Sequence, residues 1–413
     1  MSHEPYLISG SWMIDGTGTP VVERGAVLVK DGRIAEVYRG SPVRAALPPG
    51  TETIHLDGCT ILPGLIDAHV HLCLPGDGTP FPETVAEPQG VVQAIALRNA
   101  GVALRAGITT LRDCGGFPNV LYSLRRAIAL GYAQGPRLVL AGWPITITGG
   151  HCHYFGGEAD GIDGVRAKVR VAIKAGADYI KAMASGGGTP GTQGWRPAFS
   201  RDEAAAIVDE AHRFGYHATL HCTCAEAIDF AVLAGVNEIQ HAGFATSADG
   251  GQRFDAAVAD RLAKSGVPVC PTLSVGRFVY QAVAARKNPT AEDRESADRF
   301  ERMAHGTLAN AAELHRRGVP FVAGSDAGWR YSPFDALHLE IELIAAAGLS
   351  PLEAITAATS AAARVLGLEN ETGALRVGLA ADLIAVSGRP DQDIRALRDV
   401  RMVMREGARV TVL

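Results

Sequence analysis

Short apolar runs recur through the middle of the chain at about 60–72, 108–116, 137–146, 179–186, 216–222, 238–243, 268–273 and 321–327. Each reads as a buried strand. Between most of them lie amphipathic, alanine-rich stretches of helical length, at 91–106, 165–175, 201–214, 225–234 and 255–265. Eight strands alternating with helices predict an α/β fold, a (β/α)8 TIM barrel. A doubly wound open sheet is the alternative, but no Gly-x-Gly-x-x-Gly follows the first strand of this section, which argues against a dinucleotide-binding form.

The two ends of the chain have a different texture. Residues 27–30 and 33–37 are strand-like and flank Asp31-Gly32, a dipeptide suited to a tight hairpin turn. Near the other end, 381–386 is a strand candidate, and 400–404, a Glu406-Gly407 turn and 409–413 make a second hairpin. These ends predict a small β-sandwich domain made of residues 1–58 together with 374–413, flanking a barrel at 59–373.

Composition narrows the class. A chain of 413 residues exceeds what one core usually holds, in keeping with a large domain and a small one. With 47% hydrophobic and 20% charged residues it is globular, not disordered. The net charge is −5, with acids and bases intermixed and no basic stripe, so nucleic acid is not the expected partner. No apolar run has the length of a membrane span, and Met1-Ser2-His3-Glu4-Pro5 lacks the basic and apolar regions of a signal peptide. Seven cysteines without framework spacing, including a Cys222-x-Cys224 that is not Cys-x-x-Cys, predict reduced thiols in a cytoplasmic protein.

The chemistry gathers at predicted strand ends, where a barrel places its active site. In Asp67-Ala68-His69-Val70-His71 the two histidines share a strand face, so both imidazoles can address one spot. Alone, such a pair is weak. The strand at 179–186 carries a lone Lys181, that at 216–222 ends in His221, that at 238–243 carries His241, and that at 321–327 carries Asp326. Singly, each has a plain alternative: a histidine can be a hydrogen-bonded core residue, as expected for His217; Asp326 can cap a turn; Lys181 can snorkel to a carboxylate. Six metal-competent side chains at five strand ends argue for one site.

With Pro63-Gly64-Leu65-Ile66-Asp67-Ala68-His69-Val70-His71, Lys181, His221, Glu238-Ile239-Gln240-His241, Gly324-Ser325-Asp326-Ala327-Gly328 and the stretch from Gly373 to Leu383, the chain resembles the amidohydrolase superfamily over nearly its whole length. The likeness is greatest to its imidazolonepropionase-like, Xaa-Pro dipeptidase-like branch. The resemblance implies two divalent metal ions, zinc being the first expectation. His69, His71 and Asp326 would hold one, His221 and His241 the other, and Lys181 would bridge them as a carbamate formed with carbon dioxide. Only a neutral amine attacks carbon dioxide, and burial near cations lowers a lysine pKa. A metal-bound hydroxide would be the nucleophile, with Asp326 accepting its proton and passing it to the leaving nitrogen.

Gly149-Gly150-His151-Cys152-His153 resembles that branch's Gly-Gly-His loop, which makes His151 a catalytic or substrate-contacting candidate. Two features depart from the dipeptidase pattern. Ser274-Val275-Gly276 follows Pro271-Thr272-Leu273, where dipeptidase relatives often carry a tyrosine, and Tyr280 is out of register. The 185–192 loop looks more like that of amidohydrolases that cleave carbamates or ureas. No deaminase-type acid helper stands in its expected place, although Glu226 is close in sequence. Trp195, Arg196, Arg277, Phe278, Tyr280, Trp329, Arg330 and Tyr331 are candidate specificity residues, with Arg277 or Arg330 able to pair with a substrate carboxylate. The expected substrate is a small amide, such as an N-acyl amino acid or dipeptide; a carbamate or urea is the alternative, and an idle binding subunit a third reading. The resemblance also implies a homo-oligomer.

Overall fold

The computed structural model describes residues 5–40 and 47–411. Strands β1 (Tyr6–Met13), β2 (Val22–Glu23), β3 (Gly25–Lys30), β4 (Arg33–Arg39) and β5 (Glu52–Pro63) come first. The barrel follows with β6 (Leu65–Val70), β7 (Ile108–Asp113), β8 (Arg137–Leu140), β9 (Ile180–Met183), β10 (Ala218–Cys222), β11 (Glu238–His241) and β12 (Val269–Cys270). The chain returns with β13 (Leu383–Ser387), β14 (Val400–Arg405) and β15 (Ala408–Val410). The helices expected between barrel strands are present, among them Gln89–Arg105, Gly161–Ala175, Arg201–Arg213, Ala225–Leu233 and Ala256–Ser265.

Both ends of the chain build one sheet, in the order β15-β14-β13-β5-β1-β3-β4, with β2 on β1. The two hairpin turns explain its edges. Asp31 and Gly32 have φ of 51° and 77°, and Glu406 and Gly407 have 48° and 77°. Two successive positive φ values give the turn whose twist matches that of the flanking strands. The sheet folds over on itself: Ile34 donates to the Leu379 carbonyl and Ala381 to that of Gly32, both at 2.9 Å. The resulting core includes Ile8, Val27, Ile61, Leu383 and Met404, all at most 2% exposed. β5 runs across the expected boundary at 58/59 before the chain enters the barrel. Residues 412 and 413 of the last expected strand lie outside the described residues.

The barrel consists of two parallel sheets, β6-β7-β8 and β12-β11-β10-β9. Single bridges close it. Ile145 donates to Lys181 O (2.9 Å) and accepts from Met183 N (2.8 Å), joining the segment after β8 to β9. On the other side Val322 N reaches Val269 O (2.9 Å), Ala68 N reaches Ala323 O (3.0 Å) and His71 N reaches Ala327 O (2.8 Å). The strand expected at 321–327 is thus an irregular segment held by bridges. Asp326, at φ 55°, turns the backbone out of the pleat there.

The lumen is not purely apolar. Arg112 of β7 and Glu238 of β11 form a buried pair, with Arg112 Nη2 donating to Glu238 Oε1 at 2.6 Å and Arg112 Nε to the Ala68 carbonyl at 2.7 Å. His217, expected in the core, is instead exposed at the opposite end of β10, where its ring lies 3.3 Å from the Val365 carbonyl oxygen. It precedes the strand, below the barrel's packed layers.

The segment that carries the candidate specificity residues Arg277, Phe278 and Tyr280 forms a helix (Ser274–Ala284) that packs on the long helix Ala291–Arg316. Its start is set from afar. The buried Glu340 carboxylate accepts the Leu273 and Ser274 N–H groups at 2.9 and 2.8 Å, satisfying donors that a helix start leaves free. Burial pushes Glu340 from 4.5 up to about 7, against those hydrogen bonds. Between these values the native state holds a proton that the unfolded chain has released, so this group's contribution to stability falls as pH rises. Wild type is therefore expected to lose stability relative to Glu340→Gln between about pH 5 and 7, by at most about 1.4 kcal/mol per pH unit. Thermal midpoints of both proteins across that range test this; parallel curves would show that Glu340 ionises as freely in the fold as in water.

All seven cysteines are buried and unpaired. Among the described residues, no helix is long and apolar enough to cross a membrane.

Candidate metal and active site

The C-terminal ends of the barrel strands surround a cavity of about 440 Å³. His69, His71, His151, His221, His241 and Asp326 line it together. Lys181, on β9, is 1% exposed, and its charge acts on His69, His221, His241 and Asp326. The six side chains expected from sequence to hold metal, together with His151, are thus gathered at one end of the barrel.

One ligand atom each from His69, His241 and Asp326 lies within 4.8 Å of the others. The His69 and His71 rings are 5.4 Å apart, those of His69 and His241 5.0 Å, and those of His221 and His241 4.4 Å. The outer nitrogens are anchored. His71 Nδ1 lies 3.0 Å from the Gly115 carbonyl, His221 Nε2 3.0 Å from the Gly186 carbonyl, and His241 Nδ1 2.7 Å from Thr272 Oγ1. A carbonyl only accepts, so His71 carries its proton on Nδ1 and His221 on Nε2. That leaves His221 Nδ1 with its lone pair free for a cation and turns His71 Nε2 toward Asp326, the arrangement that orients metal-binding histidines.

Three buried atoms show what the site needs. Lys181 Nζ, His69 Nδ1 and Asp326 Oδ1 have no hydrogen-bond partner. Asp326 Oδ1 also stands 3.4 Å from His69 Nε2 and 3.3 Å from His71 Nε2. Lone pairs facing one another at this distance need a proton or a cation between them. The donor set of imidazoles and a carboxylate, with unpaired buried atoms, fits a divalent metal. Burial lowers the pKa of His69 and His221 and pushes His241 down to about 4, so these rings are neutral, the form that binds metal. Burial likewise lowers Lys181, favouring the free amine. His71 is the exception: burial pulls its pKa down, but Asp326, Asp113 and the Gly115 carbonyl together raise it.

Sequence reading missed the groups that hold these side chains. Asp67, two residues before the His-x-His motif, accepts from His69 N (3.1 Å) and Ser325 N (2.9 Å) and so ties the first barrel strand to the Asp326 segment. Burial pushes it up to about 6. Asp113 accepts from Leu72 N (2.7 Å) and Gly115 N (2.9 Å), fixing the loop behind His71. Positive φ at His241 (73°), Thr272 (50°) and Asp326 (55°) marks strained backbone at the same rim.

His151 reaches the cavity from the loop after Ile145, its ring 4.8 Å from that of His221 and its Nδ1 2.8 Å from Thr189 Oγ1. Burial pushes its pKa down to about 3, so it is neutral. Thr189 Oγ1 accepts from Cys152 N at 3.0 Å. Thr189 Oγ1 thus ties both the Cys152 backbone and the His151 ring, holding Nε2 toward the cavity. A Cβ on Gly187 would lie 2.5 Å from that Nε2, so this position is kept side-chain-free for the ring.

Of the candidate specificity residues, Trp195, Trp329 and Arg330 line the cavity. Arg196, Arg277, Phe278, Tyr280 and Tyr331 do not. Arg277 is exposed, and Tyr280 and Tyr331 pack beside Val279, Val283 and Phe300. The helix started by Glu340 carries 277–280 away from the cavity. The walls that sequence did not suggest are Tyr154 and, from the long helix, Arg299, Phe300 and Met303.

A closed (β/α)8 barrel with a histidine-rich, metal-competent mouth and an appended β-sandwich defines a hydrolase of the TIM-barrel type. The chain belongs to the amidohydrolase family, whose profile matches residues 60–410, and is an enzyme acting on carbon–nitrogen bonds. It is 27% identical over 426 residues to an ochratoxinase of Aspergillus niger, covering 96% of this chain and 84% of that one. It is 28% identical over 410 residues to an imidazolonepropionase of Mesorhizobium japonicum, covering 90% and 88%. A solved Xaa-Pro dipeptidase with methionine bound in its active site superposes with a TM-score of 0.85 at 28% identity, covering 98% of this chain and 99% of that one.

Proposed function

We propose that this enzyme hydrolyses the amide bond of a small N-acyl amino acid, dipeptide or related compound at a pair of divalent metal ions. The observation that carries the reading is Lys181: an amine 1% exposed, without a hydrogen-bond partner, whose charge is felt by His69, His221, His241 and Asp326. An ammonium buried that way is costly. As a carbamate formed with carbon dioxide it becomes an anion able to join two cations. In this reading His69, His71 and Asp326 hold one metal, zinc by preference, and His221 and His241 the other. Such a pair supplies a water activated near neutral pH and a polarised substrate carbonyl.

The chain's own groups do the rest. Asp326 takes the proton of the attacking water on a carboxylate oxygen and delivers it to the departing nitrogen. His151, neutral, offers Nε2–H to an oxygen of the substrate. The walls of Tyr154, Trp195, Phe300 and Trp329 hold an apolar substituent and keep bulk water out. Support for an amino-acid-derived substrate comes from the dipeptidase relative, whose active site holds methionine. Buried, unpaired thiols support a cytoplasmic setting, and exposed Leu97, Ile162, Val171 and Phe214 support self-association.

Product analysis tests the function. Metal-loaded enzyme is expected to release one amine and one carboxylic acid from N-acyl amino acids or dipeptides, to lose that activity on chelation, and to regain it with zinc. Carbon dioxide release from carbamates or ureas, with amides untouched, would replace the amide reading. No turnover of either class by metal-replete enzyme would favour a binding subunit.

A further inference from the structure

The cavity carries positive charge that the hydrolytic machinery does not use. Arg299, from the long helix, and Arg330, just after Asp326, both line it. Their guanidinium carbons lie 5.1 and 5.4 Å from the centre of the Phe300 ring, and that of Arg330 also lies 4.9 Å from the Trp329 ring. Each Nε is buried without a hydrogen-bond partner. Among the described residues, no carboxylate stands within ion-pairing distance of either. On the neighbouring helices Arg286 is paired with Asp293, and Arg317 with Asp260 and Glu313.

Leaving two like charges together, half-buried and unpaired, is unfavourable. Burial lowers the Arg330 pKa, and the charge of Arg299 lowers it further. An anion placed between them would relieve both costs. Guanidinium groups match the planar geometry of a carboxylate and accept it through paired N–H donors. The aromatic rings against which these planar guanidinium groups lie pre-set their orientation. Arg330 is also close to the reacting end of the cavity, since Trp329 N hydrogen-bonds Asp326 O at 3.2 Å and folds 326–330 into a turn.

We infer that Arg299 and Arg330 form a carboxylate subsite, so that the amides this enzyme cleaves carry a free carboxylate a few bonds from the scissile carbonyl. The inference rests on the amide-hydrolase reading above and narrows its substrates. Compounds with an aryl or long apolar side chain next to that carboxylate fit best, because Phe300, Trp329 and Met303 stand beside the two arginines.

The test is a matched pair of substrates, N-acetyl-L-phenylalanine and N-acetyl-L-phenylalaninamide, with metal-loaded wild type, Arg299→Gln and Arg330→Gln. Wild type is expected to prefer the acid by about 10–100-fold in kcat/KM, mostly through KM, the range for hydrogen bonds to a charged group. In each variant that preference is expected to fall to within about 3-fold. The ratio cancels any general loss of folded enzyme, and the two variants lie on different elements. Equal cleavage of acid and amide by wild type, or an undiminished preference in both variants, overturns the subsite and leaves amide hydrolysis standing. If no amide is cleaved, calorimetric titration with N-acetyl-L-phenylalanine still decides. Binding about 10-fold weaker in each variant supports the subsite, and equal binding overturns it.

Discussion

Replacing Lys181 with methionine is expected to abolish the metal centre while leaving the barrel folded. Methionine has nearly the volume of the lysine stem and no charge, so the fully buried slot on β9 stays filled. What is lost is the amine. Metal content of protein purified without chelator is expected to fall from about two ions per chain to one or fewer. Groups that only hydrogen-bond a metal ligand move metal affinity by about 10–100-fold, so loss of Lys181, proposed to be shared by both ions, should exceed that. Amide hydrolysis should fall at least as far. Wild-type apoenzyme should take up metal more strongly when bicarbonate is present, and the methionine variant should not respond to it. Elemental analysis and a zinc titration with and without bicarbonate measure all of this. A Lys181→Met protein holding two metals with wild-type kcat/KM would remove the carbamate bridge from the mechanism.

The second large effect is on stability, at the polar floor of the barrel. Arg112 and Glu238 lie in the wall on opposite sides of the lumen, at most 3% exposed, and make a two-point contact. Removing either partner strands the other's charge in a place without water. Arg112→Met or Glu238→Leu is expected to cost about 3–5 kcal/mol of unfolding free energy. The double variant should cost much less than the sum, because no lone charge remains. Denaturant unfolding of the three variants and wild type gives the coupling. Additive losses would mean that the pair is not what holds β7 to β11. The pair also acts at Lys181, Glu238 raising and Arg112 lowering its pKa, so the double variant is a useful background in which to repeat the metal titration.

Much of this architecture is legible without coordinates because its signals are local. Short apolar runs and helical patterning place seven of the eight barrel strands and the helices between them, since both signals are carried by residues close in sequence. The Asp31-Gly32 and Glu406-Gly407 turns are readable for the same reason. The site residues are readable because a barrel gathers the ends of its strands at one rim, so position along each strand is enough to place His69, His71, Lys181, His221, His241 and Asp326 together. Other features depend on contacts between distant segments. Arg112 meets Glu238 across 126 residues, in strands whose apolar patterning hid both. Glu340 starts a helix 66 residues away and so turns Arg277 and Tyr280 out of the cavity they were expected to line. Arg299 and Arg330 become neighbours only when the long helix folds over the barrel mouth. Sequence determined the fold and the strand-end side chains that gather at the cavity, since these follow from residue type and position along single elements. Tertiary structure alone decided the floor, the walls and the charge of the cavity, because those arise between elements with no shared local pattern.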